Sequence, residues 1–267
     1  MSFGYIPDVL DDRDRAYAAA PSMLEGPPPE SLSWLSLVSY WRGQAGTSSC
    51  VAHGACQQAE IVLKQEGETV ENPLSRFAVY AGGRLPLSGG VTVDGGTRPR
   101  DVLHFMYTYP VTTENRWSHE HGIVHVNERP PPIAEATGVV LKDKFRYSRV
   151  GSGVSGSALI DTVIDALRVG PVGVGRTVYA SYMNHRGAGV LPAPDADERP
   201  AGQHYTIFTG YRDHGRELEE LGSWPNWGFH RDFIRSIGYV SCDHLLAPVD
   251  LWQLRPNPAP SSPEEVA

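Results

Sequence analysis

The stretch Gln44-Ala45-Gly46-Thr47-Ser48-Ser49-Cys50-Val51-Ala52 decides how the rest of this 267-residue chain is read. A run of small residues, suited to a turn, ends on a cysteine, and the residue pattern changes there. Val51, Ala55, Ala59, Ile61, Val62 and Leu63 recur at roughly helical spacing. They predict a helix from Cys50 to about Glu66, stopped by Gly67. A cysteine at a helix N-terminus meets unpaired N–H groups and the positive end of the helix dipole, and both favour thiolate over thiol. Gln44, six residues upstream, carries a primary amide suited to hold an oxyanion. The general base has to come from elsewhere, and His204 is the best placed: it precedes the apolar run Tyr205-Thr206-Ile207-Phe208, as a base presented at a strand start would. Downstream, Ser223-Trp224-Pro225-Asn226-Trp227-Gly228 holds an unusual aromatic pair.

Composition narrows the function classes. Net charge is −8, with three Lys against twenty Arg, which disfavours nucleic acid as the main partner because phosphate binding needs clustered cations. No apolar run reaches the roughly 18 residues of a membrane span, so no membrane partner is expected. The start, MSFGYIPDVLDDRDR, has neither a basic opening nor an apolar core and does not read as a signal peptide. The expected location is cytoplasmic, or virion-associated if the chain is phage-encoded. Three cysteines cannot all pair within the chain, and free thiols are the default without export. With 28 Gly and 22 Pro the chain is rich in turns, which argues against a helical bundle.

Working outward, residues 1–44 read as an extended arm and crossing segment. Further helices are predicted over 73–82, 97–107 and 157–167, the last stopped by Gly170-Pro171. Strands are predicted over 145–150, 172–174, 177–179, 205–210 and 238–241. The first half is thus helical and the second β-rich. A single unit is expected over 1–256, with a disordered tail over 257–267.

The order Gln-x5-Cys, distant His, Trp-x2-Trp-Gly resembles the papain-like cysteine peptidases, prokaryotic and phage-type members especially. Their nucleophile segment reads Gln-Gly-x-x-Gly-Ser-Cys-x-Ala. Further likenesses are Gly4-Tyr5-Ile6-Pro7-Asp8, Gly95-Gly96 before Arg100-Asp101-Val102-Leu103, Gly170-Pro171-Val172, Gly202-Gln203-His204, Trp227-Gly228 and Gly238-Tyr239. The resemblance covers roughly residues 4–254. It implies an α+β fold of two lobes, a mainly helical one over about 45–140 and a mainly β-barrel one over about 141–256, with the cleft between them and the arm crossing the back of both. It implies Cys50 as nucleophile paired with His204, and an oxyanion hole from the Gln44 side chain and the Cys50 N–H. Gly95 and Gly96 would line an extended peptide substrate, and Trp224 would shield the base. No cofactor is implied.

One departure stands out. The family places an Asn before the Ser-Trp pair to orient the histidine, and here that position is Gly222. Asn226, four residues on, is the available substitute. The alternative reading is therefore a weak or inactive papain-like module serving as a structural or interaction component of an assembly such as a phage particle.

Other features have blander readings. Gly151-Ser152-Gly153-Val154-Ser155-Gly156 fits a dinucleotide fingerprint, but no acidic residue follows at the next strand end, so a flexible turn is expected. His119, Glu120, His121 and His125 read as a solvated loop rather than a metal site. His53 reads as a packed helix residue, Cys56 and Cys242 as buried small apolar residues, and Glu217, Glu219 and Glu220 as a solvated face.

Overall fold

The computed structural model describes residues 2–12, 14–18, 26–118, 126–131, 138–142, 144–247 and 249–257. The candidate metal loop over 119–125 and the tail beyond Asn257 lie outside the described residues.

The helices come first. The predicted Cys50 helix is α1, Cys50–Gln65, and every residue from Cys50 to Leu63 is buried. Its apolar content is spread around the helix, which suits an element packed on all sides. α2 spans Arg76–Arg84, capped by the Ser75 side chain accepting from the Ala78 N–H, and α3 spans Pro99–Thr108 with Pro at its first turn. A bidentate ion pair ties α1 to α2. Arg76 reaches Glu60 at 2.6 and 2.8 Å, and both side chains are 1% exposed.

The remaining elements are β1 (Leu32–Ser33), β2 (Phe145–Arg149), α4 (Ser157–Val169), β3 (Val172–Tyr179), α5 (Ala180–Asn184), β4 (Val190–Leu191), β5 (Pro200–Arg212), β6 (Glu217–Leu221), β7 (Phe229–Arg231), β8 (Ile234–Ser241) and β9 (Val249–Pro256). They form one sheet in the order β2-β9-β3-β5-β6-β8-β4, with β1 on β5 and β7 on β8. The pairings are antiparallel except β4 with β8.

Alternation along β5, reset by a bulge between Phe208 and Gly210, builds two cores, because successive side chains point to opposite faces. Tyr205 and Ile207 join the cluster of α1, α2 and α3, whereas Phe208 and Tyr211 join that of α4. Gly54 lets α1 lie directly on β5: a Cβ there would stand 2.8 Å from the Tyr205 ring.

Three expectations need correction. The strand bearing His204 begins at Pro200, so His204 lies inside it; β3 keeps pairing as far as Tyr179 and draws the polar residues before His204 into the ladder. Glu219 and Glu220 are 3% and 0% exposed, because β6 is an interior strand and supplies them with partners. Glu219 accepts from Ser33 and Thr209 hydroxyls, and Glu220 from Thr206, Tyr182 and Arg176. Cys242 is only partly buried, at the start of a single helical turn after β8.

Candidate active site

The turn before α1 is strained and braced. Ala45 and Gly46 take left-handed conformations with φ of 49° and 81°. The Gln44 N–H donates to the Ser223 carbonyl and the Thr47 N–H to that of Gln44. Ser48 N–H donates to the Asp94 carboxylate at 3.0 Å, and Tyr80 donates to the same group at 2.7 Å. The turn thus delivers Cys50 to the first position of α1. It also fixes Gln44, whose Oε1 accepts from the Ser223 hydroxyl at 2.7 Å. With its oxygen taken, the Gln44 amide donates through Nε2 to the Thr47 carbonyl at 2.5 Å, which leaves its second N–H for another acceptor.

His204 is 2% exposed and stacks on Trp224, with ring centroids 3.8 Å apart and planes 15° from parallel. Its Nδ1 has no hydrogen-bond partner. Gly222 offers no side chain, and the space a Cβ would take there is occupied: Ser236 Oγ lies 2.7 Å from the ideal Cβ position. Ser236 itself holds a left-handed φ of 64°. Asn226 is exposed on the turn between Trp224 and Trp227.

The arm's first residues run through the site. Gln44 Nε2 donates to the Ser2 carbonyl at 3.0 Å and Trp224 Nε1 to the same oxygen at 3.3 Å. The Ser2 hydroxyl bonds the Gly46 carbonyl. The Phe3 ring stands edge-on to Trp224 at 5.8 Å, over Gly202, where a Cβ would be 2.6 Å from it. Gly4 lies against the Ser48 and Gly96 backbones, and its carbonyl accepts from the Thr97 N–H at 2.9 Å. The bridge between Tyr5 and Thr97 is parallel. Gly96, at φ 86°, has Gly4 O only 2.4 Å from its ideal Cβ position, so glycine is required there; Gly95 has ordinary room. The Tyr5 ring packs on Gly175, and its hydroxyl donates to Asp250 at 2.5 Å. Beyond, the Asp8 N–H donates to Asp250 and Arg100 pairs with Asp14 at 2.6 Å, anchoring the arm's root.

Burial sets the protonation of the pair. Cys50 is 0% exposed, and burial pushes its thiol up to about 12 against the backbone N–H groups of Tyr205, Gly4 and Val51, which favour thiolate. Burial, then the nearby Arg176 cation, pushes His204 down to about 3. Both effects disfavour ions, so thiol and neutral imidazole are the resting forms with the arm in place. Among the described residues no hydrogen bond joins Cys50 to His204.

The structure therefore gathers Gln44, Cys50, His204 and Trp224 around the arm, with Gly96 beside it, and leaves Asn226 outside. Sequence reading missed Ser2 to Tyr5 as occupants, Asp94 as the brace of the turn, and Asp250 beneath Tyr5. Cys56 is fully buried, and burial raises its thiol out of use. His53 is buried one turn along α1, its Nδ1 within 3.0 Å of the Ser49 carbonyl. Gly151 to Gly156 form the turn into α4, beside an antiparallel sheet. Among the described residues no group of three or more His, Cys, Asp or Glu is arranged to hold a metal ion, and no helix is long and apolar enough to cross a membrane.

This architecture is that of the papain-like cysteine proteases. Xylellain, a cysteine protease from Xylella fastidiosa, superposes with a TM-score of 0.77 and 20% identity, over 96% of each chain. Procathepsin B S9 from Trypanosoma congolense matches at 0.66 and 12% identity, over 92% of this chain and 84% of that one. The Carica candamarcensis cysteine protease CMS1MS2, solved with E-64, matches at 0.60 and 17% identity, over 86% of this chain and 100% of its own. No protein-family profile matches the chain, and no curated protein does. At these identities the likeness is one of fold.

Proposed function

We propose that this chain is a cysteine peptidase held latent by its own N-terminal arm. The observation that carries the reading is the Ser2 carbonyl: a peptide carbonyl sits on the Gln44 amide, beside the helix-terminal Cys50 and the Trp224-stacked His204. That is where a substrate carbonyl belongs if Gln44 and the Cys50 N–H stabilise a tetrahedral oxyanion. With the arm withdrawn, water reaches the pair, the burial that disfavours both ions falls, and His204 takes the Cys50 proton. The thiolate then attacks a peptide carbonyl, His204 returns the proton to the departing amine, and water hydrolyses the thioester with His204 as base. Extended peptide or protein segments that can lie along Gly95 and Gly96 are the substrates.

The competing reading, an inactive module in an assembly, is favoured by Gly222 and by the filled cleft. A thiol-directed epoxide probe decides between them. Cys50-dependent labelling of a variant with a displaced arm, absent in the matching Cys50→Ala chain, supports the peptidase. No such labelling under reducing conditions, in a folded chain, supports the module.

A further inference from the structure

Position 222 carries no orienting side chain, yet two aromatic rings hold the His204 ring. Trp224 covers one face at 3.8 Å. Tyr182, from the short helix α5, meets it edge-on, with centroids 6.4 Å apart and planes at 62°. Tyr182 is itself immobilised, at 2% exposure. It stacks on Trp227 at 4.8 Å, and Trp227 Nε1 donates to the Tyr182 carbonyl at 2.7 Å. It also meets Trp224 edge-on at 6.1 Å. Its hydroxyl donates to Glu220 Oε1. Glu220 is wholly buried and takes two further donors, Thr206 Oγ1 at 2.6 Å and Arg176 Nη2 at 2.5 Å. Arg176 is the cross-strand partner of His204 in the β3–β5 register, so the salt bridge lies in the same layer as the imidazole.

We propose that Tyr182, locked by the buried Glu220–Arg176 pair, positions the His204 imidazole in place of a hydrogen-bonding residue at 222. This rests on the peptidase reading for its consequence but not for its geometry. Edge-to-face contacts are directional, and one to a ring clamped at its hydroxyl limits rotation of the imidazole about its own side-chain bond. Removal of the hydroxyl leaves Glu220 Oε1 with Thr206 alone and frees the clamp. Removal of the ring opens space beside His204. In either case the imidazole samples orientations that do not present a nitrogen to Cys50. Glu220 acts through Tyr182, so both are positioning residues.

The charged groups that face this layer are Arg176 from β3 and Glu220 from β6. The other titratable groups are Tyr182, His185 after α5, and His244 after β8, both of which lie in the field of Glu220. The test uses the full-length chain with Gly4→Ala, which displaces the arm, and adds Tyr182→Phe, Tyr182→Leu or Glu220→Gln. Ring-nitrogen NMR of His204 reports its tautomer and titration, and a fluorogenic peptide gives kcat and KM. Tyr182→Leu is expected to lower kcat at least about 10-fold with KM little changed, as a lost transition-state geometry does, and to move His204 towards a mixed tautomer. Tyr182→Phe and Glu220→Gln are expected to give smaller shifts of the same kind, and Tyr182→Phe decides the matter if Tyr182→Leu does not fold. A folded variant with unchanged kcat, pH profile and His204 spectrum overturns the proposal. If no variant turns over peptide but Tyr182→Leu still moves the His204 spectrum, the positioning stands and the peptidase reading falls.

Discussion

Gly4→Ala is the smallest change that empties the site. The ideal Cβ of residue 4 lies 1.8 Å from the Ser48 carbonyl oxygen and 2.7 Å from Ser48 Cα. Those atoms belong to the braced turn that carries Cys50, so neither side can yield, and the arm has to leave. What it gives up sets the size of the effect. Hydrogen bonds from Gln44 Nε2 to Ser2, Thr97 N–H to Gly4 and the Ile6 N–H to Thr97 are lost, at about 1 kcal/mol each net. The Phe3 and Tyr5 rings are drawn from their places against Trp224 and Gly175, at roughly 1.5–3 kcal/mol each if fully exposed. Ordering seven residues of arm offsets most of that gross gain, at about 1 kcal/mol or more per residue. A net hold of at most about 2 kcal/mol remains, which corresponds to an open fraction of about 3% or more. Displacement of the arm then accelerates Cys50 modification by up to about 30-fold. The assay is the rate of labelling by a thiol-directed epoxide in the native and Gly4→Ala chains, with mass-spectrometric assignment of the site and Cys50→Ala as control. A Gly4→Ala chain that is folded, with its arm amides exchanging freely, but labels Cys50 no faster than the native chain would refute the reasoning.

Other consequences follow from the same geometry. In the Gly4→Ala background, Gln44→Ala is expected to lower kcat about 100- to 1,000-fold, the usual effect of losing one oxyanion donor, with labelling of Cys50 much less affected; equal losses in both assays would remove Gln44 from that role. Asp8, at the arm's root, has its carboxyl raised to about 6 by burial and then by Asp250, against the pull of Arg100. A raised carboxylate value means the docked state holds its proton more tightly, so this contribution to docking is complete below about 3.8 and is lost as pH rises through about 6. Amide exchange of residues 4–8, corrected for intrinsic rates, is therefore expected to speed up across that window and to lose the dependence in Asp8→Asn. Glu60→Ala strands the Arg76 guanidinium at 1% exposure between α1 and α2, and thermal or denaturant unfolding should show a loss of about 3–5 kcal/mol; a loss under about 1 kcal/mol would mean that Arg76 finds another partner.

Several parts of this protein are legible in its sequence. The predicted end of α1 lies within a residue of the observed one because its apolar periodicity, the small-residue turn before it and Gly67 after it are local signals. The helix over 157–167 and the strands around 145–150 and 205–210 are legible for the same reason. β6 is not: Glu-Leu-Glu-Glu-Leu carries three carboxylates, and only the folded chain supplies Ser33, Thr209, Thr206, Tyr182 and Arg176 to bury two of them.

The order of Gln44, Cys50, His204 and Trp224 along the chain was enough to suggest a chemistry and a fold, because each residue type has a job that few others can do. It left open what fills the site and what steadies His204. Those depend on contacts between segments some 200 residues apart, Ser2 with Trp224 and Tyr5 with Asp250, and on the sheet register that sets Arg176 opposite His204. Local sequence cannot carry such information. A carbonyl at residue 2 becomes an occupant of the site, and a tyrosine at 182 becomes a clamp, only when the folded chain brings Gln44 and Glu220 to meet them.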